Sequence, residues 1–290
     1  MVSVAPGEPF RTTTARLQAA GVVRHAWVLR LWGRWQRLDR LVRSGDYRFD
    51  QPLSPIEVLA LLRSPTAALH RVTIPEGSTL DHVAALLADA GFGAADQFLC
   101  VARDPSFLLS MDVPASGLEG YLFPDTYAFA WSTPPERILT AMFERFREQT
   151  AALQALRLDA GMSEEGMVVL ASVIEKETGV AEERALVSAV FHNRLQLGMP
   201  LQSDPTAIYG RDIHGSPTAA DMAVDTPYNT YLHPGLPPGP ICNPGLASMR
   251  AALAPAKVPY LYFVARKDGS HAFSRTLEEH NRAVAHSKRR

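Results

Sequence analysis

Prolines are concentrated in one stretch of the chain, and they restrict what that stretch can fold into. Residues 200–259 hold 11 of the 22 prolines in a sequence of 290 residues. Proline lacks a backbone N–H and its ring clashes with the preceding helical turn, so helix interiors and central strands exclude it. We therefore expect residues 200–259 to be mostly ordered loop.

The composition places the chain among globular proteins. Hydrophobic residues make up 47% of the sequence, which is ample for a packed core and excludes wholesale disorder. A formal net charge of −1 argues against a general nucleic-acid binder, which needs a net basic surface. Cys100 and Cys242 form neither a disulfide framework nor a zinc-ligand pattern. The longest apolar run, residues 166–174, is far shorter than the roughly 20 residues that span a bilayer, and no signal peptide follows Met1.

An arginine-rich helix is predicted near the N-terminus, over residues 24–43. Arginines alternate with apolar residues that are mostly four apart; the apolar residues are Trp27, Leu31, Trp35, Leu38 and Val42. Such a helix either lies on a membrane surface or polyanion, or is a domain helix whose tryptophans belong to the core. We favour the second interpretation.

The remaining N-terminal elements indicate a small α+β region. Residues 47–49 are typical of a short strand, and Ser54 with Glu57 forms a capping box that opens a helix. A strand, a Pro-Glu-Gly turn, a helix and a glycine stop follow within residues 70–92, and this β-α unit resembles the start of LysM-type glycan-binding modules. We expect an α+β fold with the small region at 1–112 and a larger mixed domain at 113–290.

Helices and one hairpin are predicted in the larger domain. The helices cover residues 134–156, a segment starting at Met162-Ser163 and ending near Thr178, and residues 181–195. The hairpin consists of a strand at 260–265, a turn at Asp268-Gly269 and a partner strand at 271–273.

The helix ending near Thr178 has an apolar body and two carboxylates at its C-terminal end. Burial and the negative end of the helix dipole both favour a protonated acid, so we expect a raised pKa there. A protonated carboxylic acid is what general-acid catalysis at a glycosidic oxygen requires. Glu175 and Glu177 project roughly 200° from each other, so they cannot form a close pair. Helical geometry does not choose between them, and solvated helix-end residues remain an alternative interpretation.

Long motifs in a fixed order carry a family resemblance. The central motif is ASVIEKET at 171–178; the others are LEGYLFPDTY at 118–127, VFHNRL at 190–195, GMPLQSDPTAIYG at 198–210, TPYNTY at 226–231, GLPPGPICNPG at 235–245, PYLYFVA at 259–265 and HN at 280–281. Together they resemble the MltG-type endolytic murein transglycosylases, the YceG-like family.

The resemblance implies a specific reaction. Family members cleave the β-1,4 bond between N-acetylmuramic acid and N-acetylglucosamine of nascent peptidoglycan strands, which leaves a 1,6-anhydromuramyl end and terminates strand elongation. The family's catalytic acid and base falls on Glu175. One carboxyl group is enough, because the muramyl 6-hydroxyl attacks C1 within the same sugar. The resemblance implies no cofactor.

Several polar and aromatic side chains are candidate sugar ligands. Their hydroxyl, amide, carboxylate and aromatic groups suit sugar hydroxyls and acetamido groups, and they are Gln202, Ser203, Asp204, Thr206, Tyr228, Asn229, Tyr231 and Glu119. Each has a structural alternative: an ordered turn for residues 202–206, and core tyrosines for 228–231. For Glu119 and Asp125 the alternative is a helix cap or an ion pair with an arginine.

Two other functions compete with the transglycosylase. One is a muramidase-type hydrolase in which Asp204, Asp225 or Glu119 activates a water. The other is a non-catalytic peptidoglycan-binding protein that uses only its LysM-like part. A metal site is not expected, because the histidines are scattered and no Cys/His cluster has metal-ligand spacing.

The resemblance also implies a cellular setting. Relatives usually carry one N-terminal transmembrane helix, with the enzyme body on the outer side of the cytoplasmic membrane. We expect such an anchor before the segment that matches residues 2–49, and the chain itself to be a soluble ectodomain. Peptidoglycan glycan strands are the implied substrate, and peptidoglycan synthases the implied partners.

Overall fold

The computed structural model describes residues 2–4, 8–35, 42–43, 45–47, 49, 53–63, 69–113, 116–211 and 218–289. The chain forms two compact units, each assembled from separated segments. Unit 1 comprises Met1–Thr73, Ala85–Phe98 and Thr126–Ile138, and unit 2 comprises Ile74–Ala84, Leu99–Asp125 and Leu139–Arg290. The single domain boundary after residue 112 stays a prediction.

Helices and two-stranded antiparallel sheets make up the described residues, which confirms the α+β class. The first elements are β1 (Val2–Val4), α1 (Phe10–Ala19), α2 (Ala26–Trp35), β2 (Gly45–Tyr47), α3 (Pro55–Arg63), β3 (His70–Thr73), α4 (Leu80–Asp89), α5 (Ala95–Ala102), α6 (Pro105–Ser110) and β4 (Thr126–Phe129). The later ones are α7 (Pro135–Ala151), α8 (Gln154–Asp159), α9 (Glu164–Glu177), a 3₁₀ turn (Ala181–Glu183), α10 (Arg184–Gln196), α11 (Asp204–Ile208), α12 (Ala219–Met222), α13 (Leu246–Leu253), β5 (Tyr262–Ala265), β6 (His271–Ser274) and α14 (Leu277–Arg289).

Unit 1 contains two strand pairs and a small apolar core. Strand β1 pairs with β2, and β3 pairs with β4, both antiparallel. The capping box at α3 is confirmed, because the Ser54 N–H donates to Glu57 Oε2 at 2.7 Å and the Glu57 N–H donates to Ser54 Oγ at 3.3 Å. The strand predicted at 47–49 is found as β2, which begins at Gly45 and ends at Tyr47, while Arg48 lies outside the described residues.

Helix α2 confirms the predicted N-terminal helix but corrects the interpretation of its tryptophans. Trp27, Leu31 and Trp35 are 61%, 64% and 76% exposed, so the expectation that these tryptophans are core is wrong. The buried side of α2 consists of Ala26, Leu29 and Gly33. A Cβ at Gly33 would come within 2.7 Å of the Phe10 ring, so α2 packs closely on α1 through its small residues. The predicted continuation over 36–41 lies outside the described residues.

Helix α9 is the centre of unit 2. Residues 167–174 are all buried, and the Ser163 hydroxyl caps the helix by accepting from the Gly166 N–H. The Ser172 hydroxyl accepts from the backbone N–H of Ile241 at 3.0 Å, which fastens the proline-rich loop to α9. This apolar helix therefore supports the loop that follows much later in the sequence.

The described part of the proline-rich stretch, residues 200–211 and 218–259, is mostly ordered loop, as expected, but it also contains a helix that was not predicted. Helices α11 and α12 are single short turns, but α13 has eight residues and packs on α9 and α10. It forms because residues 246–253 contain no proline and are rich in alanine, leucine, methionine and arginine, which favour helices.

The C-terminal hairpin is confirmed by β5 and β6, with Ala265 opposite His271. Gly269 in its turn has φ +83°, which favours glycine. The helix predicted over 134–156 is instead two helices, α7 and α8, because the chain turns between Ala151 and Gln154. Among the helices of the described residues, none is long and apolar enough to span a membrane.

Candidate active site

The two glutamates at the end of α9 lie in different surroundings. The Glu175 side chain is only 6% exposed, and Arg184 Nη2 lies 3.5 Å from its Oε1. The backbone N–H of Gly245, the N-cap residue of α13, donates to Glu175 Oε2 at 2.9 Å. Both carboxylate oxygens of Glu175 are therefore committed to protein partners.

A third carboxylate, that of Glu76, lies beside the Glu175–Arg184 pair. Glu76 Oε2 is 3.9 Å from Arg184 Nη2, and a Cβ at Gly245 would overlap the Glu76 carboxylate. Burial raises the pKa of Glu76, the neighbouring Glu175 adds to the rise, and Arg184 opposes it. Arg184 thus sits between two acids, and we name Glu76, Glu175, Arg184 and Gly245 the Arg184 cluster.

Glu177 points the other way, into a cavity of about 510 Å³. Burial raises its pKa to about 7, and the Ser203 hydroxyl, which donates to its Oε1 at 2.5 Å, opposes that rise. The nearby Asp204 raises the pKa further and Arg194 lowers it. The raised pKa expected at the end of this helix is therefore present at Glu177.

This space, the Glu177 cavity, collects polar and aromatic groups. Its walls come from α9, α10, the loop at 201–204, the β5–β6 hairpin and α14, and its lining residues include Arg194, Gln202, Asp204, Tyr231, Tyr262, Phe263, His271 and His280. Three of the predicted sugar ligands, Gln202, Asp204 and Tyr231, are thus brought together with Glu177. A cavity of this size, with aromatic walls and a few polar groups, suits a small-molecule or sugar ligand.

Arg194, which lines the Glu177 cavity, holds several neighbouring segments together by hydrogen bonds. Its guanidinium donates to the backbone oxygens of Pro200, Leu201 and Leu261 and to Gln202 Oε1. Gln202 adopts φ +52°, a left-handed conformation that costs energy for a side chain other than glycine. The Gln202 N–H donates to the Thr230 carbonyl at 3.1 Å, so contacts at both of its ends hold this strained residue in place.

Three other predicted ligands are buried in a hydrogen-bond network. Ser203 reaches Glu177, while the Thr206 hydroxyl donates to the Ser203 carbonyl at 2.6 Å. The Asn229 amide donates to the carbonyls of Met222 and Val224, and its oxygen accepts from the Tyr231 N–H. Thr206 and Asn229 do not line the Glu177 cavity. The structure gives them a supporting role, and sugar binding by them stays a prediction.

Tyr228 and Glu119 lie at a second, smaller cavity of about 220 Å³. Burial raises the pKa of Glu119 to about 7, although the Leu80 N–H and the Tyr209 hydroxyl, which donate to its oxygens, lower it. Glu119 therefore satisfies the first N–H of α4, and Asp125 pairs with Arg145 at 2.8 Å. These are the helix-cap and ion-pair alternatives that the sequence left open.

Two arrangements escaped sequence reasoning. Arg194 lies in one of the family motifs but carried no predicted role, and His271, which lines the Glu177 cavity, pairs with the largely buried Glu183. A carboxylate 88 positions before a histidine gives no spacing signal, so only the fold brings them together. Asp225 is exposed and pairs with His233 at 2.8 Å.

Two further observations concern what these sites could hold. Within the described part of the chain, no group of three His, Cys, Asp or Glu side chains is placed to hold a metal ion. A further cavity, of about 650 Å³, lies at the β5–β6 hairpin and α14 and contains none of the predicted site residues.

Comparisons with known proteins agree on the relationship of this chain. The model of the YceG-like family matches residues 2–286. An endolytic murein transglycosylase of Bacillus subtilis (strain 168) is 34% identical over 258 residues, covering 83% of this chain and 72% of that protein. One of Streptococcus pneumoniae serotype 2 (strain D39) is 30% identical over 317 residues, covering 98% of this chain but only 57% of that protein. A crystal structure of a yceG-like protein from Listeria monocytogenes has a TM-score of 0.70 at 32% identity and covers 97% of both chains. The chain belongs to the YceG-like family.

Proposed function

We propose that this chain is an endolytic murein transglycosylase whose catalytic acid is Glu177. The activity is that of the relatives it matches over most of its length. One observation carries the choice of residue: Glu177 is a buried carboxyl with a pKa raised to about 7, facing a cavity that also holds Gln202, Asp204 and Tyr231. Near neutral pH such a group is protonated in a large fraction of the molecules, which general-acid catalysis requires.

The reaction needs no water and no second carboxylate. Protonated Glu177 gives its proton to the glycosidic oxygen that leaves as the 4-hydroxyl of N-acetylglucosamine. The muramyl 6-hydroxyl attacks C1 of its own sugar, so the C1–O4 bond breaks while a C1–O6 bond forms. Because the attack is intramolecular, its entropic cost is already met in the bound sugar. In the simplest scheme the Glu177 carboxylate then takes the hydroxyl proton, and a 1,6-anhydromuramyl end is left.

Glu175, the residue implied by the family resemblance, has a different role in this proposal. Its two oxygens are occupied by the Gly245 N–H and by Arg184, partners that suit a carboxylate anion rather than a proton donor. Glu175 therefore fastens the start of α13 to the end of α9. The two assignments make opposite predictions for the same substitution.

The test uses purified protein, isolated glycan strands and mass spectrometry of the products. The wild type should release anhydromuramyl ends, Glu177→Gln should fold normally and lose kcat by about 10³-fold or more, and Glu175→Gln should stay within about tenfold of the wild type. Loss of turnover in Glu175→Gln with an active Glu177→Gln would return the role to Glu175. A product heavier by one water would identify a muramidase-type hydrolase, with Asp204 or Glu119 activating the water. Binding without any product would identify a non-catalytic binding protein.

We further propose that unit 1 contributes LysM-like glycan binding. Supporting this, two antiparallel strand pairs, β1–β2 and β3–β4, are each separated in sequence by consecutive helices. The inactive Glu177→Gln chain should then retain glycan strands in a pull-down. From the resemblance we also propose extracytoplasmic action, a single-pass N-terminal anchor and partnership with peptidoglycan synthases. An apolar segment upstream in the native gene and co-purification with a synthase would test these points.

A further inference from the structure

The wall of the Glu177 cavity includes a histidine, His271, that is paired with a carboxylate behind it. Glu183 ends the 3₁₀ turn before α10, and His271 is the first residue of β6. His271 Nδ1 lies 2.6 Å from Glu183 Oε2, and the His271 backbone N–H donates to Glu183 Oε1 at 2.9 Å. The two side chains are 8% and 12% exposed. Two contacts from one residue to one carboxylate fix the orientation of the imidazole.

This orientation leaves the other ring nitrogen available. A carboxylate only accepts hydrogen bonds, so the hydrogen lies on Nδ1 and a neutral ring carries its lone pair on Nε2. Among the described residues the His271 Nε2 atom has no hydrogen-bond partner. It is also not a fully buried atom. It is therefore open to solvent, and His271 lines the Glu177 cavity. The Phe263 ring packs edge-on against the imidazole at 5.3 Å between centroids.

The second histidine of the cavity is built differently. His280 stacks on Tyr262 at 5.3 Å, and within the described chain its buried Nδ1 has no partner. Burial lowers the pKa of His280, and Arg194 adds to that effect. The charged and titratable groups that share the cavity with His271 are Glu177, Arg194, Asp204, Tyr231, Tyr262 and His280. Of the two histidines, only His271 is held by a carboxylate.

We propose that His271 is a second catalytic residue of the transglycosylase, a base that takes the proton of the attacking muramyl 6-hydroxyl, with Glu183 as its positioning residue. This inference rests on the proposed function. The arrangement is that of the histidine–carboxylate pairs that activate hydroxyl nucleophiles in other enzymes.

The step divides two proton transfers between two residues. His271 Nε2 takes the proton from O6 as O6 bonds to C1, and Glu177 gives its proton to O4 as the C1–O4 bond breaks. The products are the anhydromuramyl end, a free 4-hydroxyl, an imidazolium and a carboxylate. Transfer of one proton from His271 back to Glu177 restores the starting enzyme, so atoms and charge balance without a further reactant.

The test compares the full chain with His271→Gln, Glu183→Gln, the double variant and His233→Gln, which replaces an exposed histidine outside the cavity. We expect His271→Gln to lose kcat by about 10²-fold or more, with KM changed by less than about threefold. Glu183→Gln should lose about tenfold, and the double variant should be no slower than His271→Gln, because Glu183 acts through His271. His233→Gln should match the wild type.

Chemical rescue separates chemistry from structure. Added imidazole should partly restore the rate of His271→Ala, because it supplies the base that this variant lacks. The alkaline limb, at which Glu177 ionises, should stay in place in His271→Gln. If His271→Gln does not fold, Glu183→Gln carries the test: its loss should fall on kcat with KM nearly unchanged, and Glu183→Asp, which keeps a carboxylate, should recover part of the rate.

Three results would overturn the inference: wild-type kcat in His271→Gln, a His271→Ala variant whose rate imidazole does not raise, or wild-type kcat in Glu183→Gln. The first would mean that Glu177 handles both protons. Failure of the proposed function is distinguishable, because the wild type would then give no anhydromuramyl product, whereas failure of this inference leaves that product and the inactivity of Glu177→Gln in place.

Discussion

Glu175 and Glu177 lie two residues apart on α9, but their surroundings are opposite in character. Glu175 belongs to the Arg184 cluster, and Glu177 faces the Glu177 cavity. Glu175 meets a guanidinium and a backbone N–H, which stabilise its anion. Glu177 meets a buried space in which a single hydroxyl donates to it, and burial there favours the neutral acid. The same type of side chain thus has a cation and a backbone N–H as partners in one place and lies in a desolvated cavity in the other, and its neighbours make the difference.

The largest expected effect lies in the Arg184 cluster. Arg184→Met leaves the Glu175 and Glu76 carboxylates close together without their cation, so we expect the free energy of unfolding to fall by about 3 kcal/mol at pH 7. The deficit should shrink at about pH 4.5, where protonation removes the repulsion. Urea unfolding followed by circular dichroism measures both values, with Arg266→Met as an exposed control. An equal deficit at both pH values would attribute the loss to packing instead.

The second prediction substitutes both glutamates and compares stability at pH 8. The pKa of Glu177 is raised in the folded state to about 7, so the folded chain loses stability as pH rises from about 5 to above 7. Glu177→Gln removes this loss and should be about 2 kcal/mol more stable than the wild type at pH 8, whereas Glu175→Gln should be about 1 kcal/mol less stable. Changes of the same sign would break the contrast between the two sites.

The third prediction concerns Ser203, whose hydroxyl donates to Glu177 Oε1. That hydrogen bond favours the carboxylate, so Ser203→Ala should raise the pKa of Glu177. The alkaline limb of kcat/KM should then move upward by up to about one pH unit. Ser110→Ala, which removes an exposed hydroxyl elsewhere, is the control. A limb that stays in place would show that another group ionises there.

The smallest effect is expected at Gly77, which has φ +76° and lies against Glu175 and Lys176. Gly77→Ala should cost about 1 kcal/mol, because an L side chain is disfavoured in that conformation. The added methyl group would lie against the Glu175 and Lys176 side chains, which do not line the Glu177 cavity, so kcat should not change. A clear loss of kcat without further loss of stability would couple the two sites more tightly than we propose.

The sequence allowed the local elements around the site to be predicted, but not its composition. The start and the apolar run of α9 and the turn of the β5–β6 hairpin are signals contained within a few residues, and all are confirmed. The helical period placed Glu175 and Glu177 on different sides of α9. It could not say which side meets a cavity, because α10, the loop at 201–204 and the hairpin make that cavity.

One wrong interpretation, that of the tryptophans of α2, and one open prediction, that of Asn229, illustrate the same physical point. Helix α2 has apolar groups on both sides, and the amphipathic pattern drew attention to its large tryptophans. The buried residues of α2 are instead Ala26, Leu29 and Gly33, and Gly33 packs closely on Phe10 of α1. Likewise, Asn229 has the chemistry of a sugar ligand, but neighbouring backbone carbonyls use its amide completely. Residue type identifies what a group can bind, whereas packing decides what it does bind.

The positions of the tryptophans have a practical consequence for spectroscopy. All four, Trp27, Trp32, Trp35 and Trp131, belong to unit 1, and Trp27 and Trp35 are largely exposed. Intrinsic tryptophan emission and its quenching by acrylamide therefore report on unit 1, while the unit that carries Glu177 contributes no tryptophan signal. A change in emission on adding glycan strands would mark contact with unit 1. Occupancy of the Glu177 cavity calls for a tryptophan introduced there, for example Phe263→Trp.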